Sequence, residues 1–322
     1  MICLGIESTA HTFGVGIVDD TGKILANVKK MYMPPTGWGI DPTKAKEHHL
    51  KIADELIQEA LTQADITKPD LIAVSSGPGL PPCLLVGKQK AEGLSKKWKL
   101  PIVEVNHCIA HIEIGKLISK FEDPVMLYVS GGNTQVIAFE NGKYRVFGET
   151  EDIGIGNLFD TFGRKAGLDF PAGPKIGELA AKSKNYIPMS YSVKGMDVSF
   201  SGLLTQAQNL LNKYKLEDIC YSLTETCFAM LVEITERAMA HCQKNELILT
   251  GGVAASKRLQ EMCRIMCEER GAKFSTIPME LAGDNGAMIA WTGILIGKGN
   301  KKVDIYPAWR TDEVKISWIK SQ

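Results

Sequence analysis

Several common signals are missing from this sequence. No uninterrupted apolar run approaches the ~20 residues that a membrane-spanning helix needs, and no charged segment followed by an apolar core precedes the first strand pattern. The 37 basic and 37 acidic side chains cancel, so the overall charge favours neither a nucleic-acid nor a membrane partner. RNA would therefore have to bind a local patch or a partner subunit, and we expect no membrane association.

Cysteine pairing is also missing. The eight cysteines are scattered and include no pair of close pairs of the zinc-binding type, so we expect reduced thiols in a cytoplasmic protein. Cys263 and Cys267 are four residues apart on a predicted helix, where packing explains them better than redox chemistry. The 322 residues, 44% of them hydrophobic, are enough for two domains of roughly 150 residues each.

A pattern of three short apolar strands joined by tight turns occurs twice. It covers 2–7, 13–18 and 23–31, and again 125–129, 135–139 and 144–147, where Asn141-Gly142 predicts a hairpin turn. The sequence therefore predicts an α/β protein with two duplicated lobes, residues 1–124 and residues 125–322, with a return of the last helix to the first lobe left open.

The rest of each predicted lobe alternates helices and strands. A Pro- and Gly-rich loop is expected from Pro34 to Pro42. Helices are expected at 45–64, 84–98, from Asn106 onward, and at 176–182, 202–214, 216–243, 255–269 and 284–296. Strands are expected at 71–75, 102–105, 247–250 and 273–277.

Two histidines four residues apart suggest a metal site. If the strand at 102–105 leads into a helix near Asn106, His107 and His111 lie one turn apart on one helical face. Two imidazoles suit Zn²⁺ or Fe²⁺, but a stable site needs further ligands, and such a pair alone is about as often an ordinary helix feature. Asp284, at the expected start of the last helix, is a candidate ligand, although helix capping would also explain it. Tyr128 is a second candidate, although a half-buried strand residue is its ordinary role.

Two glycine-containing turns suit a nucleotide. Ser130-Gly131-Gly132-Asn133-Thr134 follows a strand, and we expect Gly132 to need a close backbone approach or a positive φ. The second turn, 250–256, joins a strand to a helix, whose N-terminus favours an anion. Each turn alone is most often only a turn. Their matching positions in a duplicated fold predict a nucleotide in the cleft between the lobes.

Several stretches together resemble one protein family. They read Gly-Ile-Glu-Ser-Thr-Ala, Asn-His-Cys-Ile-Ala-His-Ile-Glu, Tyr-Val-Ser-Gly-Gly-Asn-Thr-Gln, Phe-Ser-Gly-Leu-Leu-Thr, Gly-Gly-Val-Ala-Ala-Ser and Gly-Asp-Asn-Gly-Ala-Met-Ile-Ala-Trp. Over nearly the whole chain the sequence is similar to the TsaD/Kae/Qri family, and most of all to its archaeal branch, a subunit of the KEOPS complex. The resemblance implies the actin-like fold of sugar kinases and heat-shock ATPases, with a ligand cleft between two duplicated lobes.

The resemblance also implies a reaction. Family members transfer a threonylcarbamoyl group from threonylcarbamoyl-adenylate to the exocyclic amine of the adenosine 3′ of the anticodon, in tRNAs that read codons beginning with A. The implied partners are tRNA and the other KEOPS subunits, including a small protein kinase and a dimerising small subunit. Archaeal relatives sometimes carry the kinase fused at the C-terminus; because the sequence ends at Gln322, we expect it here as a separate chain.

Site residues follow from the resemblance position by position. The implied ligands of one iron or zinc ion are His107, His111, Tyr128 and Asp284. The implied contacts to an adenine nucleotide, either threonylcarbamoyl-adenylate or ATP, are Tyr128, Val129, Ser130, Gly131, Gly132, Asn133, Asp160, Gly173, Gly177, Glu178 and Ser256. Gly177 stands where the family usually has an acidic residue and Ser256 where it has asparagine, so Glu178 is the substitute expected at the ribose.

Three alternative functions differ in what they require. No Ser, Cys or His triad is evident for a covalent intermediate, so the transferase hypothesis predicts direct attack with a metal ion as Lewis acid, and it assigns no general base. A kinase or ATPase of the same fold would want oxygen ligands for Mg²⁺ instead of two histidines. A metalloprotease would want His-Glu-x-x-His, whereas Cys108, Ile109 and Ala110 separate these histidines. A purely structural subunit is the third alternative.

Overall fold

The computed structural model describes residues 1–35 and 38–319 and contains two five-stranded mixed sheets with helices on their faces. The strands are β1 (Ile2–Glu7), β2 (Thr12–Asp19), β3 (Ile24–Met31), β4 (Leu71–Gly77), β5 (Ile102–Asn106), β6 (Val125–Val129), β7 (Thr134–Glu140), β8 (Lys143–Glu149), β9 (Val193–Lys194), β10 (Asp197–Val198), β11 (Glu246–Thr250) and β12 (Lys273–Thr276).

The helices connect and cover these sheets. They are α1 (Pro42–Gln63), α2 (Pro81–Trp98), α3 (His107–Ser119), α4 (Ile155–Lys165), α5 (Ala172–Ala180), α6 (Ser201–Leu210), α7 (Leu216–His241), α8 (Lys257–Glu269), α9 (Met279–Ala282) and α10 (Gly286–Ile296), with short 3₁₀ helices at Gly252–Ala255 and Thr311–Glu313. No helix in the described part of the chain is both long and apolar enough to cross a bilayer.

The two large sheets have the same topology. The first has the order β3-β2-β1-β4-β5 and the second the order β8-β7-β6-β11-β12. In each, an antiparallel meander of three strands is extended by two parallel strands that follow helical connections. The predicted α/β fold with two duplicated lobes is thereby confirmed. The predicted boundary near residue 124 falls between α3 and β6.

Helix α10 packs on the first sheet although it follows the second sheet in the chain. A Cβ at Gly5 would lie 2.2 Å from the amide nitrogen of Ala290, and a Cβ at Gly16 would lie 2.1 Å from that of Ala287. Backbone against backbone at this distance admits no side chain. The glycines of β1 and β2 therefore allow α10 to lie directly on the sheet.

Several predicted element ends were wrong. Helix α2 begins at Pro81 instead of 84, α5 at Ala172 instead of 176, and α10 at Gly286 instead of 284, while α4 was not predicted at all. The N-cap of α10 is Asn285, whose side chain accepts a hydrogen bond from the amide of Met288. Asp284 is thus not the cap. The predicted loop from Pro34 to Pro42 includes residues 36 and 37, which lie outside the described residues, as do residues 320–322.

Candidate functional site

The histidine pair is held at the first turn of α3. Asn106, the last residue of β5, caps this helix by accepting hydrogen bonds from the amides of Cys108 at 3.0 Å and Ile109 at 3.2 Å. The cap places His107 at the first helical position and His111 one turn later. Their ring centroids are 4.7 Å apart, and both side chains are buried.

Four side chains from three parts of the chain converge at this point. The Nε2 atom of His107 lies 3.2 Å from the phenolic oxygen of Tyr128, which is at the end of β6. The Nε2 atoms of His107 and His111 each lie 3.5 Å from Oδ1 of Asp284, in the loop before α10. The residues expected to bind the metal are therefore together.

These separations fit a metal ion. Ligand atoms about 2.0–2.1 Å from a tetrahedral zinc ion are about 3.3 Å from one another, close to the distances just given. Among the described residues, neither ring nitrogen of His111 has a hydrogen-bond partner, although the side chain is fully buried. A buried imidazole without a partner costs free energy, which a metal–nitrogen bond would recover. The donor set of two imidazoles, a carboxylate and a phenol suits zinc or iron.

Charges at the cluster are strongly coupled. Burial raises the pKa of the Asp284 carboxyl, but His107 and His111 outweigh burial and hold that pKa well below its usual range. Burial lowers the pKa of His107, yet the charges of Glu7 and Asp284 together raise it to about 9. Burial keeps the pKa of His111 below its usual value and that of Tyr128 well above its own. A cation is therefore favoured at the centre, and metal binding would displace protons.

The glycine turn after β6 borders a large cleft. The cleft has a volume of about 2710 Å³, and its lining includes His107, Tyr128, Gly132 and Asp284. Within the turn, the amide of Ser130 donates to the carbonyl of Asn133 at 2.8 Å. A Cβ on Gly132 would meet no protein atom within 4 Å, and its φ is outside the left-handed region. The expected positive φ is therefore wrong, and the open space that Gly132 leaves faces the cleft.

Helix α4 supports this turn. The amides of Gly156 and Asn157 donate to the carbonyls of Ser130 at 3.1 Å and Gly131 at 3.0 Å. A Cβ on Gly154 would lie 2.4 Å from the carbonyl oxygen of Gly131. The helix N-terminus and the turn thus hold each other in place, without any side-chain cap on α4.

The other residues expected to bind a nucleotide mostly line the same cleft. They are Ser130, Gly131, Asn133, Asp160, Gly173, Gly177, Glu178 and Ser256. Val129 differs, because its side chain is buried in the core of the second sheet.

Contacts fix some of these residues in place. Asp160 accepts a hydrogen bond from the amide of Ala172 at 2.8 Å, and burial raises the pKa of its carboxyl. Ser256 caps α8, with the amide of Leu259 3.5 Å from its hydroxyl. Glu178 is paired with Lys175 at 2.9 Å on the exposed side of α5.

Sequence reasoning gave no role to several residues of the site. Glu7 contacts Nδ1 of His107 at 3.0 Å, and the amino group of Lys29 donates to the main-chain carbonyl of Asp284 at 3.1 Å. Thr9 and His11 line the cleft from the side of the first sheet. Glu7 and Thr9 belong to the Gly-Ile-Glu-Ser-Thr-Ala stretch, so their position in a motif was the available signal.

The cysteines are structural. All eight are free thiols, and Cys263 and Cys267 are buried on α8, as packing alone would require. Burial raises the pKa of Cys108, which lies between the two histidines in sequence, to about 12. A thiol that stays protonated is a weak nucleophile.

Comparison with known proteins gives one family. The family model described as TsaD, tRNA N6-adenosine threonylcarbamoyltransferase, matches residues 23–291. Proteins of that same name from Thermofilum pendens and Thermococcus kodakarensis are each 53% identical to this chain. The alignments cover 98% and 99% of this chain, and 96% and 100% of the two relatives.

A longer relative and two solved structures add to this comparison. A probable bifunctional tRNA threonylcarbamoyladenosine biosynthesis protein of Methanocaldococcus jannaschii is 53% identical, over 99% of this chain but 61% of its own. HypF of T. kodakarensis has a TM-score of 0.67 at 15% identity, with 92% of this chain and 48% of HypF covered. A ROK family glucokinase of Streptomyces griseus has a TM-score of 0.50 at 14% identity, with 91% and 99% covered. These two structures share the actin-like, sugar-kinase fold.

Proposed function

This chain belongs to the TsaD family of tRNA N6-adenosine threonylcarbamoyltransferases, and we propose that it takes the threonylcarbamoyl group from threonylcarbamoyl-adenylate bound in the cleft beside His107, His111, Tyr128 and Asp284. The activity of the family is the transfer of that group to the exocyclic amine of a tRNA adenosine. The comparisons favour neither the kinase nor the metalloprotease alternative.

One observation carries the proposal. Tyr128 takes part in the cluster of candidate ligands, and two residues later the chain begins the turn of Ser130 to Asn133. A nucleotide held by that turn would have its phosphate end next to the cluster. The acyl group of an adenylate is attached to its phosphate, so the reacting carbonyl would lie between the turn and the cluster.

Each part of the cleft has a role in this proposal. The turn from Ser130 to Asn133 binds the phosphate through backbone amides, and Asp160, Gly173 and Glu178 bind the nucleoside. His107, His111, Tyr128 and Asp284 hold one zinc or iron ion, which as a Lewis acid would polarise the threonylcarbamoyl carbonyl. The adenosine amine then attacks that carbonyl directly, and AMP leaves.

The size of the cleft supports a second occupant. A drug-sized ligand fills about 300–1,000 Å³, so a cleft of about 2710 Å³ has room for an unstacked base beside the adenylate. We propose that this base is the adenosine 3′ of the anticodon in tRNAs that read codons beginning with A. An anticodon loop presents such a base at lower cost than a duplex does.

We also propose that the chain works in the cytoplasm with the other KEOPS subunits, including a small protein kinase and a dimerising small subunit. The M. jannaschii relative is described as bifunctional and has further chain beyond the matched part, which supports a second activity acting together with this one.

The test is a transfer assay with labelled threonylcarbamoyl-adenylate and a tRNA that reads a codon beginning with A, in the presence of the proposed partners. We expect label at the adenosine 3′ of the anticodon and none in a tRNA with guanosine at that position. Metal and nucleotide contents of the purified protein are measured in parallel. Bound adenine nucleotide without metal, and no transfer, would overturn the proposal in favour of the kinase alternative.

A further inference from the structure

Glu7 is a fully buried carboxylate that no step of the proposed reaction uses. It is the last residue of β1, and its exposed fraction is 0%. Its Oε1 atom accepts two hydrogen bonds from Thr9, one from the amide at 2.7 Å and one from the hydroxyl at 2.5 Å. These bonds fix the carboxylate plane. Burying such a group costs free energy unless it has a defined partner.

The partner of the second oxygen is a candidate metal ligand. Oε2 of Glu7 lies 3.0 Å from Nδ1 of His107, and that side chain is 4% exposed. An ionised carboxylate only accepts hydrogen bonds, so Nδ1 must carry the hydrogen. In a neutral imidazole the other nitrogen then has the lone pair, and Nε2 faces Tyr128 at 3.2 Å and Asp284 at 3.5 Å.

From this geometry we propose that Glu7 is a positioning residue that fixes the tautomer and the ring orientation of His107, so that Nε2 is presented to the metal ion. The inference rests on the metal site proposed above. Partners of this kind behind a ligating histidine strengthen metal binding by roughly 10–100-fold. His111 differs from His107, because among the described residues neither of its ring nitrogens has a hydrogen-bond partner. Glu7 therefore acts on one of the two imidazoles.

Glu113 provides a matched control on the helix that carries both histidines. It is 4% exposed, and its Oε1 atom accepts hydrogen bonds from the Tyr144 hydroxyl at 2.7 Å and from Nε1 of Trp318 at 2.9 Å. Glu113→Gln therefore makes the same chemical change at a similarly buried carboxylate whose hydrogen bonds go elsewhere.

The experiment is a Co²⁺ titration of the metal-free protein, followed by visible absorption. Glu7→Gln should weaken the Kd by 10–100-fold, and Glu113→Gln by less than about threefold. Glu7→Asp keeps the charge but withdraws it by one methylene, so it should also weaken binding. If Glu7→Asp binds as the parent does while Glu7→Gln does not, charge alone is responsible and the positioning role is overturned.

Other outcomes separate this inference from the proposed function. A parent chain that binds no Co²⁺ removes the metal site itself, whereas tight binding by both the parent and Glu7→Gln removes only the role of Glu7. Should Glu7→Gln fail to fold, ¹⁵N NMR of the Zn²⁺-loaded parent decides the question. We expect His107 to be protonated at Nδ1 and bound through Nε2, and binding through Nδ1 would overturn the inference.

Discussion

Nε2 of His107 lies 3.2 Å from the phenolic oxygen of Tyr128, although His107 follows the first sheet and Tyr128 is part of the second. The contact is buried on both sides. Because neither residue belongs to the same sheet as the other, the cluster exists only when the two sheets are packed together. Metal content is thus a sensitive measure of whether the halves of the molecule are correctly assembled.

Replacing both histidines should remove the metal and leave the fold. We expect His107→Ala with His111→Ala to reduce metal to background by elemental analysis, because two of the four candidate ligands are lost. The cavities should lower the free energy of unfolding of the metal-free protein by about 2 kcal/mol. A control with His48→Ala and His241→Ala should keep its metal. Stoichiometric metal in the first variant would show that α3 does not bind it.

Two glycines of the same region should respond differently to substitution. Gly132→Val should weaken adenine nucleotide binding at least tenfold in a calorimetric titration, because its side chain would enter the cleft where the ligand approaches. Its stability should change by only about 0.5 kcal/mol, since a Cβ there meets no protein atom within 4 Å.

Gly154→Ala is the contrasting variant. Its Cβ would lie 2.4 Å from the carbonyl oxygen of Gly131, so we expect a loss of about 1–3 kcal/mol in unfolding free energy. Identical nucleotide titration curves for Gly132→Val and the parent would remove the turn from the nucleotide site.

Asp152 should make stability depend on pH at the acid end. Its carboxylate accepts hydrogen bonds from the amides of Phe200 and Ser201 at the start of α6. Burial raises the pKa of this carboxyl, but the backbone hydrogen bonds outweigh it and lower the pKa from 3.8 to about 2. The stabilisation is therefore complete above pH 3.8 and lost as the pH falls through about 2.

The test is urea unfolding of Asp152→Asn and the parent over a pH series. Because the group is mostly exposed and screened by solvent, we expect a difference of only about 1 kcal/mol at pH 7. The difference should shrink as the pH falls from 4 toward 2. A constant difference over that range would show that the charge of Asp152 is irrelevant. Glu151→Gln, at the neighbouring exposed position, is the control.

The isolated chain should bind tRNA weakly. With 37 basic and 37 acidic side chains it releases few counterions on binding, so the affinity should fall only shallowly with salt concentration. Transfer of labelled threonine to tRNA should be slow until the proposed partner subunits supply basic surface. Rapid modification by this chain alone would show that its own surface is sufficient.

The duplicated fold could be predicted because its signals are local. Three short apolar strands separated by turn residues appear twice in the sequence, and the two sheets have the same strand order. The prediction lost accuracy where proline and glycine gather. Pro81 and Pro82 were assigned to a loop, but both fit the first turn of α2, where a missing amide hydrogen costs nothing.

Helix α4 could not be predicted from local signals. Gly154, Gly156 and Gly163 weaken the helical pattern, and no side chain caps the first turn. Its N-terminal amides bond to the carbonyls of Ser130 and Gly131, which are distant in sequence. A helix stabilised in this way is visible only once the second sheet has formed.

The site residues could be predicted by resemblance and their arrangement could not. His107 and His111 share a helix face, so their pairing follows from spacing, whereas the approach of Asp284 depends on the packing of α10 against the first sheet. The assignment of the cap to Asn285 explains why Asp284 is available to the cluster. Glu7 was in a quoted motif, but only the fold brings it to His107.

The position of α10 also affects how the chain must fold during synthesis. Strands β1 and β2 leave the ribosome first, yet the helix that lies against their glycines is made only after the whole second sheet. Until residues 286–296 emerge, one apolar face of the first sheet is uncovered and exposed to aggregation. Translation order and folding order therefore differ in this protein, and a nascent chain released before α10 should depend on chaperones.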